Sequence, residues 1–181
     1  MKGLVFSEFI EFVEGRFSPE LADEMLDNSD LPSQGAYTSV GTYDHQELLT
    51  LVTTLSRLTE TPVAGLLQSY GNHLFERLLS GHPGFLDGVT CSFDFMQNIE
   101  DYIHVEVRKL YPDAELPRFE WQRPADDHLV LTYHSRRPFA DLAAGLIDGC
   151  VGHFNEQVRI DRQDLGTAEE NVVCFDLVRS R

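Results

Sequence analysis

Residues 118–135 read RFEWQRPADDHLVLTYHS, and within them the chain alternates apolar and polar residues with a period of two. Phe119 and Trp121 share one side of the first run, and Leu129, Leu131 and Tyr133 share one side of the second. Side chains of an extended strand alternate between faces, so the pattern predicts strands over 118–124 and 128–135, joined by a turn at Ala125, Asp126 and Asp127.

Upstream the period is helical. Residues 92–112, SFDFMQNIEDYIHVEVRKLYP, place Phe93, Met96, Ile99 or Ile103, Val107 and Leu110 at spacings of three and four. This predicts one continuous helix, ended by Pro112. Earlier segments read the same way: an amphipathic helix over 2–14, and a short one from Ser18-Pro19 to about Asp27. After a loop over 29–44, a capping box of Asp44 and Glu47 opens the helix 45–58, and Thr61-Pro62 opens another that stops near Gly81. Downstream, 138–154 reads as a helix, and 157–163 and 171–180 as strands connected by the loop 164–171.

The predicted architecture is α+β: an N-terminal helical subdomain followed by a four-stranded antiparallel sheet with a crossing helix. We read one domain over 1–181, with 1–65 as a helical part and 66–181 as a helix-plus-sheet part. At 181 residues, 42% of them apolar, with twelve phenylalanines, the chain has the means for a sizeable core.

The formal net charge of −16 disfavours a nucleic-acid or anionic-membrane partner, since both reward clustered Lys and Arg. There is no run of ~18 apolar residues to span a bilayer. Glu8, Glu11 and Glu14 interrupt the apolar N-terminal stretch, so a secretory leader is not expected. Three widely separated cysteines, Cys91, Cys150 and Cys174, form no CxxC pair; they point to a reducing cytoplasm and to buried structural thiols.

Chemistry concentrates in two places. His104 lies in the predicted helix beside the apolar stripe of Ile103 and Val107, where a neutral imidazole is a metal ligand if the helix packs over a pocket. The bland reading is a surface or structurally satisfied histidine. No HExxH, zinc-finger spacing, Gly-rich phosphate loop or GxSxG elbow accompanies it. A metal at His104 would therefore draw its other ligands from a cofactor, as haem does with four pyrrole nitrogens. The second place is Tyr133, Ser135 and Arg137, which share a face if the strand continues and offer two hydroxyls and a guanidinium to one acceptor. Haem brings two propionate carboxylates that such donors suit; the bland reading is an exposed strand end.

Together the N-terminal MKG, the histidine of IHVEVRKLYPDAELP and, about thirty residues on, YHSRR resemble the H-NOX family, the haem-nitric oxide/oxygen binding domains. The resemblance runs along essentially the whole chain and is closest to stand-alone bacterial NO sensors. It implies a haem b sandwiched between the helical part and the sheet, with His104 as the proximal iron ligand. It further implies propionates held by Tyr133, Ser135 and Arg137, and Pro117 pressing on the porphyrin. The place of a distal tyrosine found in some O2-binding members is here Leu142, nine residues after Tyr133. Phe9 and Leu74 match an indole and an amide of the same network, and Val5 and Leu146 are expected nearby. An apolar wall leaves bound O2 without a donor, so the expected ligand is nitric oxide, with CO compatible and O2 disfavoured. Tyr70 and Tyr102 are the remaining hydroxyls able to turn toward the iron.

NO weakens the trans bond to histidine, so the implied output is movement of the His104 helix and relaxation of the haem against Pro117. The implied partner is a separate histidine kinase or a cyclic-di-GMP enzyme, diguanylate cyclase or phosphodiesterase. No catalytic residue is expected, and His134 is expected to face solvent. Some bacterial relatives carry a Cys/His zinc site; Phe139 and Asp164 or Leu165 stand in those regions here, leaving Cys174 as the one match. A haem enzyme of peroxidase type and a cofactor-free α+β regulatory domain are the competing readings. An absorption spectrum and a peroxide assay separate them.

Overall fold

The computed structural model describes residues 1–167 and 170–180. Four helices come first: α1 Gly3–Arg16, α2 Pro19–Asp27, α3 His45–Thr59 and α4 Val63–Gly81. The Ser18 hydroxyl accepts the Leu21 amide at 3.2 Å and starts α2 as a side-chain cap. Asp44 caps α3 by accepting the Gln46 amide at 3.0 Å. Glu47 does not complete the expected capping box. Its buried carboxylate instead accepts the Ser33 hydroxyl and, at 3.0 Å, the Tyr37 hydroxyl, tying α3 to the preceding loop.

The long helix expected over 92–112 is interrupted. It comprises α5 Ser92–Gln97, a π-helical turn Ile99–Ile103, and α6 His104–Leu110. The Asn98 carbonyl accepts both the Tyr102 amide at 3.0 Å and the Ile103 amide at 3.1 Å, so one extra residue is taken into the turn. His104 is the first residue past that insertion.

The sheet follows as β1 Arg118–Ala125, β2 His128–Ser135, β3 Val158–Asp164 and β4 Asn171–Arg179, with α7 Ala140–His153 crossing between β2 and β3. Strand order is β1-β2-β4-β3, antiparallel throughout, with Tyr133 opposite Phe119 on one side and Val173 on the other. The fold is thus the expected α+β arrangement with a four-stranded antiparallel sheet and crossing helix. In the expected loop 164–171, Ala168 and Glu169 lie outside the described residues.

Two hydrophobic cores result. One joins α1, α2, α3 and the first half of α4, around Phe6, Phe9, Met25, Leu48 and Leu55, all fully buried. The other lies between α7, α5 and the sheet, around Phe93, Leu129, Leu131, Phe175 and Leu177. Full burial of each such side chain contributes roughly 1.5–3 kcal/mol. The cores meet where α4 crosses α7, and glycines set the separation. A Cβ on Gly145 would stand 2.0 Å from the Gln68 carbonyl oxygen, and one on Gly71 would stand 2.3 Å from that of Leu142. Among the described residues no helix is long and apolar enough to cross a membrane.

A candidate cofactor site between the helices and the sheet

A cavity of about 720 Å³ opens beside this crossing, within the size range of small-molecule and cofactor sites. One wall comes from α1, α4 and α7. Apart from the Cys150 thiol, every lining residue these helices supply is hydrocarbon, including Val5, Leu74, Leu142 and Leu146. The thiol itself faces the Ser92 carbonyl at 3.8 Å, and burial pushes its pKa up, with Glu156 and Cys91 adding to the effect. Phe9 is not in contact with the cavity; it is fully buried one layer behind, with its ring 5.0 Å from that of Tyr70.

The other wall is built from the π-turn, α6, β1 and β2, and it carries the polar groups. His104 lines the cavity and is 7% exposed. Its Nδ1 lies 3.0 Å from Glu100 Oε1, which leaves Nε2 as the ring nitrogen available to a ligand. Burial lowers the imidazole pKa from 6.5, against the charge and hydrogen bond of Glu100, so the ring is neutral at pH 7 with a free lone pair. Pro117 lines the same cavity, half-buried in the segment entering β1.

Tyr133, Ser135 and Arg137 all line the cavity, but strand alternation does not account for the third of them. β2 ends at Ser135, whose hydroxyl accepts the Arg137 amide at 3.0 Å, and this turn brings the guanidinium round. Burial raises the Tyr133 phenol pKa, only partly countered by Ser135 and Arg137, so the hydroxyl stays protonated as a donor. The Arg137 guanidinium donates to the Glu115 carboxylate and, at 3.3 Å, to the Glu115 carbonyl. Beside it, Lys2 and Thr42 both bond Asp113, at 2.9 and 2.8 Å, and pin the N-terminus to the segment after α6.

Two expectations are corrected. The Tyr70 hydroxyl donates to the Val5 carbonyl at 2.6 Å and the Tyr102 hydroxyl to that of Gly84 at 3.2 Å, and neither residue lines the cavity. His134 does not face solvent. Its ring nitrogens are buried without hydrogen-bond partners, each 3.8 Å from a carboxylate, Glu120 or Glu170, because β2 is an inner strand with neighbours on both sides. Sequence reasoning missed Glu100 and Glu115. Glu100 had a signal, standing four residues before His104 on one helix face; Glu115, in a loop, had none.

The residues present fit a haem. The cavity offers hydrocarbon for a porphyrin, one buried neutral imidazole for its iron, and hydroxyl and guanidinium donors for its carboxylates. The model of the haem-NO-binding family matches residues 2–162. The crystal structure of the Fe(II) unliganded H-NOX protein from K. algicida has 35% sequence identity, covers 100% of this chain and 97% of that chain, and gives a TM-score of 0.92. The solution structure of the IWP-051-bound H-NOX from Shewanella woodyi in the Fe(II)CO state has 43% identity, covers 99% and 95%, and gives 0.83. An H-NOX protein from S. oneidensis in the Fe(II)NO state has 25% identity, covers 98% and 99%, and gives 0.85. No match is found among curated proteins. With its cavity formed as described and most of its length matched, the chain belongs to the haem-NO-binding (H-NOX) family of haem-based gas sensors.

Proposed function

We propose that this chain is a nitric oxide sensor, and not an enzyme, which binds haem b and reports to a separate cytoplasmic signalling protein, a histidine kinase or a cyclic-di-GMP cyclase or phosphodiesterase. It acts as one domain over 1–181, with residues 1–65 as a helical part and 66–181 as a helix-plus-sheet part that supplies the proximal wall and, through α4 and α7, much of the distal one. The observation that carries the reading is the division of the cavity between a largely hydrocarbon wall and a wall that carries the buried His104 imidazole, held from behind by Glu100.

His104 holds the iron through Nε2, and no other ligand from the chain is required. Among the described residues no group of three or more His, Cys, Asp or Glu is placed to hold a metal ion without a cofactor. Tyr133, Ser135 and Arg137 take a propionate, and Glu115 gives up its bond to Arg137 when they do. Pro117, which lines the same cavity, would contact the porphyrin. A haem held by His104 would supply a ferrous iron able to bind NO.

Val5, Leu74, Leu142 and Leu146 line the distal side, with Phe9 behind, and exclude water without offering a hydrogen bond. Bound O2 carries partial negative charge and needs such a donor, whereas NO does not; CO is a compatible second ligand. The short α6 is the element free to report. It is separated from α5 by the π-turn, so it can shift without carrying the rest of the segment. The test is the absorption spectrum of the purified protein, reduced, then exposed to NO and to air. A Soret band that shifts with NO and shows no stable oxy form in air is expected; no Soret band, or a stable oxy form, overturns the reading.

A further inference from the structure

Glu100 has no part in the family pattern drawn from the sequence, yet one of its oxygens does two things. Oε1 accepts the Phe119 backbone amide at 2.8 Å and lies 3.0 Å from His104 Nδ1. These partners belong to different elements, Phe119 being the second residue of β1 and His104 the first of α6. A solvent-exposed Glu/His pair four residues apart on a helix contributes little to stability. This pair is not exposed in that sense: the imidazole side chain is 9% accessible, and the carboxylate is held by a second donor that fixes its direction. The turn carrying Glu100 is the π-helical one, a local geometry that recurs at functional sites.

We propose that Glu100 is the positioning residue for the proximal histidine. Its carboxylate keeps the imidazole proton on Nδ1, aims Nε2, and makes the ligand more basic, as outer partners of metal-bound histidines do. The same oxygen ties His104 to β1, so a displacement of the histidine is felt at the Phe119 amide two residues after Pro117. The chain therefore contains its own control over how firmly the iron is held, and hence over how readily NO releases it. Sequence position alone would assign that control to Pro117 or the distal leucines.

This inference rests on His104 being the iron ligand. Its test uses Glu100→Gln, which keeps an acceptor and loses the charge, and Glu100→Ala, which loses both. The iron–histidine stretching frequency of the ferrous holoprotein, read by resonance Raman, falls in the glutamine variant and falls further in the alanine variant. Haem transfer to a scavenging apoprotein accelerates about tenfold in the alanine variant and stays near the parent in the glutamine variant. Amide exchange at Phe119 in the ferrous–CO protein follows the same order, faster for alanine and unchanged for glutamine. An unchanged stretching frequency in both variants overturns the proposal, whatever happens to haem transfer. If the alanine variant does not hold haem, the glutamine variant decides, since it keeps an acceptor oxygen of the same reach while removing the charge. Failure of the underlying reading is distinct: the parent protein would show no iron–histidine band, and His104→Gly would retain haem without added imidazole.

Discussion

The two walls of the cavity are made by different physical means. The wall from α1, α4 and α7 is, apart from the Cys150 thiol, hydrocarbon backed by a closed core, and its hydroxyl-bearing neighbour Tyr70 is turned away and committed to the Val5 carbonyl. The wall from the π-turn, α6, β1 and β2 is only partly buried, and its polar groups are cross-committed: His104 to Glu100, Glu100 to Phe119, Arg137 to Ser135 and Glu115. One wall presents hydrocarbon. The other presents a few polar groups whose directions are fixed.

Substitutions on the two walls therefore have effects of different kinds. The largest is expected on the polar wall: His104→Gly abolishes haem retention, and added imidazole restores the Soret band by occupying the space the side chain leaves. Normal retention without imidazole would erase the distinction between the walls. Next, Arg137→Ala removes a charge-assisted partner worth about 1.5–3 kcal/mol, so haem dissociation measured by transfer accelerates roughly ten- to hundredfold. On the hydrocarbon wall, Leu142→Tyr adds the missing donor. A dissociable oxy form appears in air, with about a tenfold gain in O2 affinity, at a stability cost of about 1–3 kcal/mol for the larger ring. An unchanged spectrum in air would mean that the absence of a donor does not set the selectivity.

The smallest effect separates the tyrosines behind each wall. Burial raises Tyr70 well above 10, Tyr133 above 10 and Tyr37 to about 12. Stability from a raised phenol is fully present below the unfolded value near 10 and is lost as pH rises toward the folded value. An absorbance titration of the phenolates should thus show Tyr37, Tyr70 and Tyr133 ionising late, coincident with alkaline unfolding.

How legible the molecule was follows the same division. β2 could be read at its ends, 128–135, because alternation of Leu129, Leu131 and Tyr133 with polar residues has only one extended solution. The helical stripe over 92–110 was equally clear but ambiguous at one place, where either Ile99 or Ile103 satisfied it. The inserted residue of the π-turn sits there, and a spacing of three or four cannot distinguish a regular turn from one widened by the Asn98 carbonyl. The hydrocarbon wall was legible because pocket lining and core have the same composition, although that also placed Phe9 at the cavity when it lies one layer back. Arg137 lines the cavity, but not through strand alternation: a serine-capped turn carries it, beyond the end of the strand. His134 was misjudged because alternation gives the face of a residue but not how closely adjoining strands cover it.

The crossing of α4 and α7 at Gly71 and Gly145 limits what redesign of this protein can achieve. With backbone against backbone, the two helices have no slack to take up or release, so the hydrocarbon wall can be re-lined residue by residue but not moved outward. A larger or differently shaped porphyrin would have to find its room on the other side, where short segments meet at turns. Engineering for cofactor choice therefore belongs with α5, α6 and β1, and engineering for gas choice with α4 and α7.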